Sequence, residues 1–519
     1  MGDLLFRLLA TSCLLIAANL ASAESLSASA KVDAAGDEGR ISRHLYGHFA
    51  EHLGRCIYDG IWVGQDSSIP NTRGMRNDVV QALKDLSIPN LRWPGGCFAD
   101  DYHWRDGIGP KGERPKRINM HWGQVIDTNA FGTHEFMDLC EQIGADAYLA
   151  GNVGSGTPQE MRDWIEYLTF DGDSELANER RKNGRDKPWK VPFFGVGNEN
   201  WGCGGNMRPE FYADLYRQYA TFCRSWSGNR MTLVACGPNG LDANWSKVMA
   251  DRVGRGMRAM SLHYYTVYPS WRDKTPATGF GEDEWAAILS ESLRMEEAIG
   301  NVEKEFDRVD PNKRIDIYVD EWGAWYAGEP GTPGYALYQQ NSLRDALLAA
   351  QTLHIFHEHN ERVTMANIAQ VVNVLQAMIL TEGDKMLLTP SYHLFEMYKV
   401  HHDATRLPLQ LDSPEYEHGD REMPALSVSA SRDSEGVVHV SISNVHPREA
   451  VELECEIEGL ADGAKVTGRV LTAEELDAHN TFDEPENVKP SAFDGASLDG
   501  DELKATIPPR SVVVLRLAP

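Results

Sequence analysis

Between residues 44 and 369, apolar runs bounded by glycine or proline recur eight times, with helix-like segments between them. The runs are "HLYGHFA" (44–50), "NLRW" (90–93), "ADAYLAG" (145–151), "FFGVGNE" (193–199), "TLVACG" (232–237), "AMSLHYY" (259–265), "IDIYVDE" (315–321) and "VTMANIA" (363–369). Helical periodicity or capping residues mark about 75–86, 134–144, 158–168, 209–226, 282–306 and 338–359. Strands that alternate with helices must run parallel, and eight such units close into a barrel. The predicted fold is therefore α/β, a (β/α)8 TIM barrel over residues 44–395. An open doubly wound sheet is the rival, but no GxGxxG follows a strand to favour its dinucleotide-binding form.

A chain of 519 residues is too long for one core, since cores rarely grow beyond roughly 250–300 residues. From 396 the pattern changes to period two, in "ALSVSASR", "VVHVSISNV", "VELECEIEG", "AKVTGRVLT", "LKATI" and "SVVVLRLAP". Such alternation, punctuated by Gly, Asp and Pro, predicts an accessory all-β, jelly-roll-like sandwich over 396–519. The stretch "SLSASAKVD" (25–33) alternates in the same way, so residues 24–43 are expected to add a strand to that sandwich.

The N-terminus reads as an export leader over 1–23: Arg7, an apolar run to about Leu20, then Ala21-Ser22-Ala23. This predicts a periplasmic or extracellular protein with no membrane attachment after cleavage. Losing Cys13 with the leader takes the eight cysteines to seven, none in a CxxC pair, and most are expected to be buried thiols. The one short-spaced candidate for zinc, His354, His357 and His359, reads instead as the polar end of a helix. The expected cofactor and metal content is none. A net charge of −27 repels phosphate backbones and makes nucleic acid an unsuitable partner.

Reactive groups of a (β/α)8 barrel gather at the C-terminal ends of its strands. Here the strands run into Glu51-His52, "RWPGGCF", Asn152, Asn198-Glu199-Asn200, Asn239, "HYY" (263–265), Asp320-Glu321-Trp322, and Gln370 with Asn373. A lone glutamate at a strand end is most often simply solvated. Two of them, Glu199 and Glu321, each beside a tryptophan and on strands four and seven, suit glycoside hydrolysis, which needs one carboxyl as acid and one ionised. Their separation decides between retention and inversion, and sequence does not give it.

Several of these motifs resemble glycoside hydrolase family 51, the α-L-arabinofuranosidases: "YGHFAEHLGRCIYDGIWVG" (46–64), "LRWPGGCFADDYHWRDGIGP" (91–110), "GVGNENWGCGGNMRP" (195–209), "SLHYYT" (261–266) and "ANIAQVVNVLQAM" (366–378). The resemblance runs from about residue 40 to the C-terminus. It implies Glu199 as general acid/base, Glu321 as the nucleophile of a retaining double displacement, and Glu51, Cys97, Asn198, Tyr265 and Gln370 as contacts to the sugar. Cys97 stands where many family members carry Asn, and a thiol is the weaker donor. The resemblance also implies an arabinofuranosyl-containing oligo- or polysaccharide as partner, exo action on terminal groups of arabinoxylan or arabinan fragments, and a hexamer. The alternatives are an endo-acting xylanase or glucanase of the same clan and a non-catalytic carbohydrate-binding barrel. The long segment 94–133 is placed to wall off a pocket, which favours exo action.

Overall fold

The computed structural model describes residues 26–518; the expected leader and Cys13 lie outside the described residues. Eight strands form a closed barrel in chain order: Gly47–Phe49, Asn90–Trp93, Asp146–Gly151, Phe193–Val196, Thr232–Ala235, Ala259–Thr266, Asp316–Ala324 and Val363–Ala369. Every neighbouring pair is parallel, and the eighth pairs with the first through Asn367↔Gly47 and Ala369↔Phe49. Covered on both faces, such strands must be apolar at nearly every position, which is why short continuous runs mark them in the sequence. The expected first strand is shorter, because residues Arg43–Tyr46 wind into a 3-10 turn capped by Ser42.

The helices follow local chemistry. Pro158–Thr169 starts on Thr157, whose hydroxyl accepts from Glu160 N at 3.1 Å, and buries Met161, Trp164, Ile165 and Leu168. The segment expected as one helix over 282–306 is two, Glu282–Ser292 and Met295–Val309. The last barrel helix before the eighth strand begins at Leu343 and not 338, because Ser342 and Asp345 form a capping box. Among the described residues no helix is long and apolar enough to cross a membrane.

Two antiparallel-rich sheets make the sandwich. The strand Leu26–Asp33 lies between Leu409–Asp412 and Val451–Glu458, in a five-stranded sheet completed by Glu502–Ile507 and Ala496–Asp499. Its inward residues Ala28, Ala30 and Val32 face Leu453, Cys455 and Ile457 in register. The six-stranded partner sheet packs Leu426–Arg432 and Val438–Asn444 against helix Leu343–Glu358, where His354 and His357 bond Ser427 and Ser429. Helix Pro390–Tyr398 spans the expected domain boundary at 395/396 and leads into the sandwich strand Thr405–Arg406.

Segment 94–133 folds over the C-terminal end of the barrel. Within it Arg117–Ile118 and Ile126–Asp127 pair as a ribbon, and Trp122 between them reaches back to Glu51, donating to Oε1 at 2.9 Å.

Candidate active site

The fourth strand is followed by Gly197, φ +83°, where a Cβ would stand 2.1 Å from Asn200 Oδ1. Glu199 follows at φ +43°, a left-handed conformation that costs a non-glycine residue roughly 1–3 kcal/mol and must be held by its surroundings. Glu321 comes from the seventh strand and is buried. The two glycines of "PGG" make room: a Cβ on Gly95 would lie 2.6 Å from Glu51 Cγ, and one on Gly96 2.8 Å from Glu321 Oε1.

The chain thus brings Glu199 and Glu321 together, with an oxygen of one within 4.8 Å of an oxygen of the other. Between them stands His263, Nδ1 2.9 Å from Glu199 Oε1 and 3.4 Å from Glu321 Oε2, with Nε2 3.1 Å from Asp320 Oδ1. Tyr265 donates to Glu321 Oε2 at 3.0 Å, and Arg92 to Glu321 Oε1 at 2.8 Å and also to Asn198 Oδ1. Glu51 accepts from Phe98 N at 3.0 Å and from Gln370 Nε2 at 2.9 Å.

Electrostatics sort these groups. Burial opposes charge on His263, but Glu321, Asp320 and Glu199 outweigh it and raise the ring to about 10, so it stays a cation. Burial pushes Glu321 upward; the His263 cation opposes that, Glu199 adds to it, and Arg92 pulls back, leaving the net direction upward. Glu51 is pushed up to about 7 by burial and by Glu321, against the donors on its oxygens.

A cavity of about 260 Å³ opens over this group, lined by Glu51, Cys97, Glu199, Tyr265, Glu321 and Gln370 with Trp122, Trp201, Trp271 and Trp325 around its wall. Two buried polar atoms beside it, Asn198 Nδ2 and Gln370 Oε1, have no hydrogen-bond partner among the described residues. One is a donor and one an acceptor, the pair that a hydroxyl-rich ring satisfies.

Cys97 departs from expectation. It is joined to Cys203, 106 residues away, where the turns after strands two and four meet. A bridged sulfur has no hydrogen to donate, so Cys97 shapes the pocket wall and offers no thiol to a hydroxyl. The two sulfurs lie 3.8 and 3.4 Å from Glu199 Oε2. The other five described cysteines, Cys56, Cys140, Cys223, Cys236 and Cys455, are buried thiols.

Of the other polar strand ends, Asn239 lines the pocket, whereas His52, Asn152 and Asn373 are engaged elsewhere. His52 bonds Asp127 at 2.6 Å, Asn152 bonds Ser155, and Asn373 ties Arg55 O to Thr381. Trp322, next to Glu321, points the opposite way and packs on Phe356 and Phe395, as strand alternation requires. Sequence reasoning left Arg92, His263 and Asp320 without roles. The signal was there for Arg92: a charged residue in the middle of a strand that should be apolar on both faces.

Residues 82–278 match the family model of the α-L-arabinofuranosidase 1 domain, and residues 320–511 that of the α-L-arabinofuranosidase C-terminal domain. An intracellular exo-α-L-arabinofuranosidase of Bacteroides ovatus is 50% identical over 503 residues, 96% of this chain and 98% of that protein. The crystal structure of the GH51 arabinofuranosidase from Xanthomonas axonopodis pv. citri superposes with TM-score 0.94 at 50% identity, over 95% of this chain and all of that one (100%). The α-L-arabinofuranosidase from Thermotoga maritima, in its arabinose complex, gives 0.84 at 32% identity over 94% and 99%. The Bacteroides ovatus protein is intracellular, and this overturns the expectation of export to a periplasm or medium. With relatives aligned over nearly the whole chain and two family models in order along it, the chain belongs to the α-L-arabinofuranosidases of glycoside hydrolase family 51.

Proposed function

We propose that this chain is a retaining, exo-acting α-L-arabinofuranosidase that removes terminal non-reducing α-L-arabinofuranosyl groups from arabinoxylan- or arabinan-derived saccharides. The observation that carries the reading is the approach of the two carboxylates to within 4.8 Å. A pair about 5–5.5 Å apart lets one carboxylate attack carbon, whereas ~6.5–9.5 Å is needed to seat a water between.

In this reading Glu321 attacks the anomeric carbon while Glu199 passes its proton to the departing oxygen. A covalent arabinosyl-enzyme forms, and water then cleaves it with Glu199 taking the proton. Arg92, Tyr265 and His263 aim the Glu321 carboxylate, and the His263 cation offsets the negative charge on Glu199 once its proton is gone. Asn198 Nδ2 and Gln370 Oε1 are the free groups for sugar hydroxyls, with Glu51 and Tyr265 beside them; Cys97 contributes shape. Exo action is supported by the Bacteroides ovatus relative and by Trp122 lying over a cavity of about 260 Å³, room for one sugar, where an endo-acting enzyme needs an open cleft.

Glu321→Ala should lower turnover of 4-nitrophenyl α-L-arabinofuranoside by ~10⁴-fold or more, as removal of a covalent nucleophile does. Azide should restore it, with inverted product. Glu199→Ala should spare that substrate far more than one with a poor leaving group, because only the latter needs a proton at the departing oxygen. Equal losses on both substrates would remove the acid/base assignment.

A further inference from the structure

Asp100 stands outside the pocket, 4% exposed, at the end of the 3-10 turn Cys97–Asp100 that follows the second strand. Its Oδ1 accepts from Val153 N at 2.6 Å and Gly154 N at 2.7 Å, after the third strand. Its Oδ2 accepts from Asn198 N at 2.7 Å and Asn200 Nδ2 at 3.3 Å, after the fourth. Its carbonyl takes Ser155 N at 3.1 Å and Ser155 Oγ at 2.9 Å. One side chain therefore ties three successive strand ends together.

Every direct partner of the carboxylate is an N–H donor and none is a cation. An acceptor-only group is what four converging donors require; an asparagine would turn an NH₂ onto two of them. The donors on Oδ2 come from the residues immediately before and after Glu199, whose own backbone is at φ +43°. The loop is packed down onto this point: a Cβ on Gly204 would lie 1.9 Å from Asn198 O and 2.6 Å from Asp100 Oδ2. The groups that hold Glu321, namely Arg92, Tyr265 and His263, make no hydrogen bond to Asp100 among the described residues.

We propose that Asp100 is a positioning residue that pins Glu199 in its left-handed conformation and so aims the acid/base, without touching substrate and without acting on the nucleophile. This rests on the functional reading above. Its loss falls on the steps that use Glu199: proton donation to a poor leaving group, and activation of water against the arabinosyl-enzyme. Asn198, whose N–H shares the pin, adds a loss common to all substrates.

The test is Asp100→Asn in the full chain, assayed on 4-nitrophenyl α-L-arabinofuranoside and on an arabinosyl xylo-oligosaccharide. The expected result is a kcat/KM loss roughly ten- to hundredfold greater on the oligosaccharide, the scale of a catalytic group misplaced by about an ångström. Azide should also speed nitrophenolate release by the variant and not by the parent. In that reaction a C–N bond forms at the anomeric carbon as the bond to Glu321 breaks, and no proton has to be removed. A variant that loses only stability shows neither the split nor the azide response, and equal losses on both substrates, or none, overturn the proposal. If Asp100→Asn does not fold, Asn200→Ala, which removes one donor from Oδ2, should give the same split at smaller size; its absence overturns the proposal equally. A parent inactive on both arabinofuranosides sinks the functional reading and the proposal with it, whereas an active parent with no split in the variants sinks the proposal alone.

Discussion

The barrel mouth and the seam between barrel and sandwich both bury histidine, and they hold it in opposite charge states. At the mouth, His263 faces three carboxylates and is raised to about 10. At the seam, His354 meets Ser427 and Tyr398, His357 meets Ser429 and Tyr46, and His401 meets Ser431 and Ser441. Those partners are hydroxyls, so nothing opposes burial, and His354 is lowered to about 3 with His357 and His401 also driven well down. Burial alone neutralises a ring; burial among carboxylates makes a cation of it. The mouth carries chemistry on fixed charge, while the seam fastens two domains with neutral hydrogen bonds.

The sharpest way to break the contrast is to take the charge from the mouth. His263→Gln should lower kcat/KM by ~10²–10³-fold, comparable to losing one preorganised donor at a developing charge. A variant within tenfold of the parent would show that the cation does not organise the two glutamates. At the seam, His357→Ala should cost about 1–3 kcal/mol by leaving the Ser429 and Tyr46 hydroxyls without partners, read from the urea midpoint. Activity per folded molecule at neutral pH should not change; a fall there would mean that the seam feeds the site.

The pH dependence gives the smaller effects, and its signs differ between the regions. The seam histidines have folded pKa values below the ordinary 6.5, so the unfolded chain binds more protons and stability is lost as pH falls from about 6.5 toward 3. His263 has a folded value above 6.5, so its contribution is full below that pH and is lost as pH rises through about 10. Glu51, raised to about 7, favours the folded state at low pH and loses that contribution as pH rises toward 7. The double variant His354→Gln/His357→Gln should flatten the acid limb of a urea-midpoint profile and leave the alkaline limb alone.

The two regions also differ in how far the sequence reveals them. The run "VTMANIA" coincides with the observed strand Val363–Ala369, because a strand buried on both faces leaves a mostly apolar signature. Helix Glu175–Lys182 escaped notice because only Ala177 and Arg180 along it are buried, leaving no apolar period to see. Glu199 and Glu321 were legible as carboxylates ending apolar runs. The helpers around them were not: Arg92 meets Glu321 across 229 positions, and His263 meets Glu199 across 64. Such pairings exist only once the barrel closes. The Cys97–Cys203 bridge is hidden for the same reason, and so is the seam, whose histidines in "HIFHEH" read as a helix end while their serine partners lie in sandwich strands some seventy residues on.

The most direct test of the account is proton NMR of the anomer first released from 4-nitrophenyl α-L-arabinofuranoside. Carboxylates within 4.8 Å of each other predict arabinose appearing first with the α configuration of the substrate and drifting to its equilibrium mixture only by mutarotation. First appearance of the β anomer would mean that water attacks directly, and would contradict the assignment of Glu321 as nucleophile.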